Sequence, residues 1–161
     1  MIRKNNLLLV FLISSHFLFS QTLKDQFPAD SPIDVIEYLG DYIPLDAIFK
    51  DESGKEIILK DLFEKKIPTI LTLNYFECPM LCTLVLNGLA ESIEKLTLNA
   101  GDEYQIITID INPNETTAFA NPKKRNYIAG YNLQNIKNDW HFLTGDQENI
   151  QKIADSIGFI Y

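Results

Sequence analysis

The hydrophobic period of this chain changes between Thr69 and Leu96, and its two cysteines sit at the change. Thr69 to Phe76 (Thr-Ile-Leu-Thr-Leu-Asn-Tyr-Phe) is β-branched, apolar and aromatic, which predicts a central buried strand. From Met80 to Leu96 the period becomes helical. Leu81, Leu84, Val85, Gly88, Leu89, Ile93 and Leu96 fall on one stripe, with Asn87, Glu91, Glu94 and Lys95 elsewhere. Gly88 on that stripe predicts close backbone packing. A strand that passes directly into a helix commits the chain to an α/β fold.

The rest of the sequence repeats the alternation. Leu45 to Phe49 and Glu56 to Leu59 flank the turn cluster Asp51-Glu52-Ser53-Gly54, a predicted β-hairpin, and Asp61-Leu62-Phe63 fits one helical turn. Tyr104 to Ile111 reads as a second buried strand, ending near Asp110. Asn112-Pro113-Asn114 turns the chain into a helix over about Thr116 to Tyr131, with a kink or restart expected near Asn121 because Pro122 sits inside it. Trp140 to Leu143 is a short strand. A final helix over about Gln147 to Ile157 closes at Gly158. Alternating strands and helices imply a mostly parallel sheet covered on both faces, with ligands beyond the C-terminal strand ends. Cys78, Cys82 and Asp110 all fall at that end.

Within Cys78-Pro79-Met80-Leu81-Cys82, Pro79 suits the first position of a helix, so Cys78 is expected as the cap and Cys82 one turn in. Unpaired N–H groups and the positive dipole end of the helix favour thiolate on whichever sulfur faces them. A spacing of four puts both sulfurs on one side of the turn. They can close a disulfide, since Cα atoms ~6 Å apart meet its geometric limit. They can equally clamp one soft metal ion. Two thiolates suit Cu(I), and a third nitrogen ligand would make the site trigonal. Zinc wants four ligands, which nothing nearby supplies. Buried structural cysteine is the plain alternative, and a proline between the two at a strand-to-helix junction argues against it.

The N-terminus speaks to location. Arg3 and Lys4 precede an apolar run of 13 residues from Leu7 to Phe19, interrupted by Ser14, Ser15 and His16. That is short for a membrane span and matches a signal peptide over residues 1–20, with cleavage between Ser20 and Gln21. An uncleaved anchor is the alternative, which would hold the domain near a membrane. Residues 21–40, with Pro28, Pro32 and Gly40, read as a linker into a domain over 41–161. Formal net charge is -8, and beyond residue 20 the chain has 12 basic and 22 acidic residues, a balance that excludes nucleic acid as a partner. An exported small domain stapled by disulfides would carry more than two cysteines. A bridge closing so short a loop adds little stability, so the pair points to chemistry.

The stretch from Thr72 to Leu89, Thr-Leu-Asn-Tyr-Phe-Glu-Cys-Pro-Met-Leu-Cys-Thr-Leu-Val-Leu-Asn-Gly-Leu, closely resembles the motif region of bacterial SCO/SenC proteins. Thr108-Ile109-Asp110-Ile111-Asn112-Pro113-Asn114-Glu115-Thr116 is similar to the family's second-strand motif, and Trp140-His141-Phe142-Leu143-Thr144-Gly145 to its third. The resemblance covers about Gly40 to Tyr161. It implies a thioredoxin-like fold in the periplasm or an equivalent compartment. It implies copper bound by Cys78, Cys82 and a histidine, and a role in delivering copper to the dinuclear copper centre of cytochrome c oxidase or in reducing its cysteines. The family's ligand histidine lies in a β-hairpin after the helix that here ends near Gly158. It is therefore expected beyond Tyr161, and the chain is expected to be an incomplete domain lacking that hairpin and the final helix.

Two functions from different classes remain: a metallochaperone for copper, and an exported thiol-disulfide oxidoreductase working with a thiol reductant. The three-residue spacing and its surroundings favour the first, while thiol exchange needs only the two sulfurs. Nothing in the sequence supports peroxide reduction. His141 is expected to be structural, and Met80, Trp140 and Tyr75 to be packing residues. Asp110 either tunes the thiols or caps a strand end. Lys123-Lys124-Arg125 reads as a solvated helix face.

Overall fold

In the computed structural model, residues 36–78 and 80–161 are described. The signal segment, its cleavage point, residues 21–35 of the linker and Pro79 lie outside the described residues. The expected hairpin forms from β1 (Ile48–Lys50) and β2 (Glu56–Ile58), paired antiparallel. Its turn is built by Asp51, whose Oδ1 accepts from Ser53 N at 2.8 Å and Lys55 N at 3.0 Å, and by Gly54 at φ +90°. A 3-10 turn over Leu59–Phe63 follows.

Three strands make a parallel sheet: β3 (Thr69–Asn74), β4 (Gln105–Asp110) and β5 (Trp140–Leu143), in the order β3-β4-β5. The central position belongs to β4, all six of whose residues are buried. β3, expected at the centre, is an edge among the described strands, and its side chains from Thr69 to Leu73 are only half-buried. An apolar run reports cover above and below a strand and says nothing about a neighbour alongside it, so the two positions read alike in sequence.

Helices α1 (Leu81–Glu94) and α2 (Thr117–Gly130) cover one face, where Leu86, Ala90, Ile106, Tyr127, Trp140 and Phe142 share a core. The Trp140 indole N–H donates to Thr108 Oγ1 at 2.9 Å, so this fully buried ring leaves no orphan donor. On the other face Phe49 and Ile57 of the hairpin, with Ile150 and Ile153 of α3 (Gln147–Ser156), pack on Ile107, Ile109 and Leu143. The hairpin is fastened to the sheet through Lys50 and Thr144, which exchange backbone hydrogen bonds of 2.8 and 2.9 Å.

Expectations about the helices fail in part. Of the expected α1 stripe, Ile93 is buried and Leu89 packs against the core, but the other buried residues are Leu86 and Ala90, and Leu81, Leu84 and Val85 are 68%, 62% and 50% exposed. A Cβ on Gly88 would meet nothing within 4 Å, so no close packing requires glycine there. The helix is apolar on more than one side, and hydrophobicity alone does not tell which side faces the sheet. Nor does Pro122 restart α2, which runs without a break from its cap at Thr116, whose side chain accepts from Ala118 N at 3.3 Å. In the second turn the proline removes one donor, the bond that residue 122 would make to Ala118, and the turns on either side remain.

The facing strand ends carry buried polar groups. Asn74 and Asp110 are register partners at the C-terminal limits of β3 and β4, and both are buried. Asp110 Oδ1 accepts from Asn112 N at 2.9 Å, while Asp110 Oδ2 and Asn74 Nδ2 have no hydrogen-bond partner among the described residues. Burial, and then the neighbouring Glu115 carboxyl, push the Asp110 carboxyl from 3.8 to about 8.

Leu86→Ala should destabilise the domain by about 2–5 kcal/mol and Leu84→Ala by less than about 0.5 kcal/mol, measured by urea unfolding. Equal losses would mean that the sequence stripe, and not the observed one, faces the sheet. Between about pH 4 and pH 8 folded Asp110 keeps a proton that the unfolded chain releases. The Asp110 contribution to stability should therefore be greatest towards pH 4 and fall as pH rises to 8, by at most ~1.4 kcal/mol per pH unit. Asp110→Asn should flatten that decline, and a variant with the wild-type slope would assign the proton elsewhere.

Candidate functional site

The loop from Tyr75 to Met80 carries the chain off the end of β3 into α1. Cys78 was expected to cap the helix. Instead Met80 is the cap residue, at φ −123° and ψ −88°, and α1 starts at Leu81. Cys78 therefore lies ahead of the helix and Cys82 is its second residue. The first turn closes through Leu84 N to Met80 O at 3.0 Å, and Thr83 Oγ1 donates to Cys78 O at 2.9 Å. The role predicted for Pro79 falls outside the described residues.

Both cysteines are free and half-buried, and they lie close enough for each thiol to shift the other. Their environments are opposite. Backbone N–H groups of Cys82, then Met80, with smaller help from the Cys82 thiol and Leu81 N–H, hold the Cys78 thiol below the usual range. Burial pushes the Cys82 thiol up, against a bond of 3.4 Å from Tyr75 N to its Sγ. The unpaired amides of a helix start thus serve the outer sulfur and leave the inner one protonated.

Beneath this loop lies a carboxyl pair. Glu115, buried in the β4–α2 connection, accepts at Oε2 from Phe76 N at 2.8 Å and Glu77 N at 3.0 Å. Its Oε1 accepts from Asn112 Nδ2 at 3.0 Å, and the Asp110 carboxyl lies beside it. Sequence reading singled out Asp110 and passed over Glu115. The available signal was an acid lodged between the turn Asn112-Pro113-Asn114 and the helix cap Thr116, a position with no helical face to justify it.

Other candidates fall differently. His141 lies on β5 beside Glu52, Lys124, Asp139 and Asp51, and burial holds it below the usual imidazole range, so its neighbours are charges away from the cysteines. Met80 is 72% exposed and Tyr75 38%, so neither is the core packing residue expected, whereas Trp140 is fully buried. Lys123-Lys124-Arg125 is not a solvated face. Lys123 Nζ donates to Phe76 O at 2.9 Å, Lys124 is buried and ion-paired with Glu52, and only Arg125 is exposed. Among the described residues no group of three His, Cys, Asp or Glu is arranged to hold a metal ion. The donors gathered here are two thiols, a set that fits a soft monovalent ion and no hard or four-coordinate one.

Comparison with known proteins agrees with this architecture. None of the curated proteins matches. Among solved structures, a candidate electron transfer protein from Aquifex aeolicus is 28% identical, with a TM-score of 0.61 over 76% of this chain and 74% of its own. Copper-bound ScoI from Bradyrhizobium japonicum is 25% identical, with a TM-score of 0.53 over 72% of this chain and 67% of its own. BsSco, a member of the Sco family of cytochrome c oxidase assembly proteins, shares the fold at 20% identity, with a TM-score of 0.51 over 76% and 67%. The SCO1/SenC family model matches residues 49–161. With a thioredoxin-like fold, one cysteine just ahead of α1 and another at its second residue, the chain belongs to the SCO1/SenC family.

Proposed function

We propose that this chain binds Cu(I) through Cys78 and Cys82 and hands it on during assembly of the dinuclear copper centre of cytochrome c oxidase, outside the cytoplasm. The observation that carries the reading is two free, half-buried cysteines four residues apart at a helix start, one with its thiol held below the usual range by backbone N–H groups. Copper is cargo in this reading. Two soft thiolates grip Cu(I), and their position at the surface leaves them open to exchange with a recipient's ligands. Family membership and the copper-bound ScoI relative support the choice of metal. The cytochrome c oxidase subunit as recipient and a thiol reductant as second partner follow from the family resemblance. The basic start and apolar run within residues 1–20 support export, and no helix among the described residues is long and apolar enough to cross a membrane.

A second reading has an observation of its own. The opposite shifts of the two thiols suit a thiol-disulfide reductase, with Cys78 as nucleophile and Cys82 as resolving thiol. The Cys78 thiolate would attack a disulfide of the target and displace one target thiolate. Cys82, on losing its proton, would then attack the mixed disulfide, release the second target thiolate and leave Cys78–Cys82 oxidised. Two electrons pass to the target.

Reduced protein titrated with Cu(I) against a chromogenic chelator should take up one equivalent, and Cys78→Ser or Cys82→Ser should weaken binding by more than about 100-fold. Wild-type affinity no better than that of either serine variant would remove the copper reading. At pH 7 iodoacetamide should label Cys78 faster than Cys82, read by peptide mass spectrometry. The gap should narrow as pH rises, because Cys82 ionises later. Equal rates across that range would contradict the division of roles.

A further inference from the structure

Glu115 has no part in binding or exchange as described above, yet it is the residue through which the sheet holds the cysteine loop. Its Oε2 accepts from two successive amides, Phe76 N at 2.8 Å and Glu77 N at 3.0 Å, immediately ahead of Cys78. The carbonyl of Phe76 is taken by Lys123 Nζ at 2.9 Å, and the Phe76 ring is buried with its centroid 5.6 Å from that of Phe142. Residue 76 is thus held by its N–H, its C=O and its side chain, and Glu115 supplies the first of these. The other Glu115 oxygen is fixed by Asn112 Nδ2 at 3.0 Å. A buried carboxylate collecting backbone donors is a strong, directional contact, and this one spans two loops that are 39 residues apart at Phe76.

We propose that Glu115 is a positioning residue for the redox and metal-binding pair: its carboxylate grips the Phe76 and Glu77 amides and so sets the Cys78 sulfur against the first-turn amides of α1. The inference concerns the site of the proposed function and rests on that reading for its reactivity readout. Distance effects and grip differ in sign. As a bare negative charge near the sulfur, Glu115 would disfavour the Cys78 thiolate, and its removal would make Cys78 more reactive. As a grip, it favours the thiolate indirectly, and its loss lets the sulfur drift from its donors and makes Cys78 less reactive.

Glu115→Gln and Glu115→Asp separate the two in the full chain. Gln keeps the length and loses the charge, and whichever way its amide turns, its donor nitrogen faces either the two backbone amides or Asn112 Nδ2. Asp keeps the charge and is one methylene too short. Both variants should slow alkylation of Cys78 at pH 7 by about three- to tenfold. Both should raise the equilibrium constant for Cys78–Cys82 disulfide formation against glutathione by a similar factor, because a less stabilised thiolate destabilises the reduced form. The Phe76 and Glu77 amide proton resonances should lie downfield in the wild type and move upfield in both variants. Faster alkylation in Glu115→Gln with wild-type behaviour in Glu115→Asp would overturn the grip in favour of charge, and unchanged rates in both would also overturn it. If Glu115→Gln does not fold, Glu115→Asp and the wild-type amide shifts still decide. Should wild-type Cys78 prove no more reactive than Cys82, the division of thiol roles fails, while the amide resonances continue to test the grip.

Discussion

The six-residue parallel ladder between β3 and β4 determines where the rest of the chemistry falls. Parallel strands end on the same side, so the loops leaving them meet. The loop after β3 brings the cysteines and the loop after β4 brings Asp110, Asn112 and Glu115. With the register fixed from Thr69↔Gln105 to Asn74↔Asp110, a slip of one residue would turn Asp110 to the opposite face and carry Glu115 out of reach of the Phe76 amide. Complete burial of β4 holds that register, with Ile106 in one core and Ile107 and Ile109 in the other.

The site combines features that would be costly singly. Asp110 is buried with one oxygen unpartnered, Asn74 is buried with an unpartnered amide nitrogen, and Glu115 is a buried acid beside Asp110. What makes the group tolerable is division of labour. Burial raises the Asp110 carboxyl, and the Glu115 oxygens are answered by backbone and side-chain N–H donors. On the far side of the loop the two thiols divide in the same manner, one favoured as thiolate by the helix start and one kept protonated by burial.

Much of this was legible in the sequence, and the failures have a common cause. The hairpin, the three strands, the order of helices and the position of the cysteines follow from period and turn residues, which are local signals. Relations across the fold were not legible. The sequence showed that α1 is apolar but not that Leu86 and Ala90, rather than Leu84 and Val85, meet the sheet. It showed two strong strands without revealing that β4 lies between β3 and β5. It gave three adjacent cations on α2, yet Lys124 turns inward only because Glu52, 72 residues earlier, waits there. Glu115 was missed for the same reason, since its partners at 76 and 77 are chosen by the fold. Cys78 fell short of the helix because Met80 leaves helical geometry just before it starts.

The junction at Gly158 fixes how the domain presents itself. Gly158 stands at φ +67°, its carbonyl accepts from Ile36 N at 2.8 Å, and a Cβ there would lie 1.8 Å from the Ile36 oxygen. A side chain cannot be accommodated, so the incoming backbone lies directly against the end of α3. Because α3 leaves the C-terminal end of β5 and runs back along the sheet, its own end lies at the pole opposite the sulfurs. The described backbone thus meets the domain at the end of α3, and the cysteine loop leaves from the other end of the sheet, so a substitution that presses on Gly158 strains a region remote from the thiols.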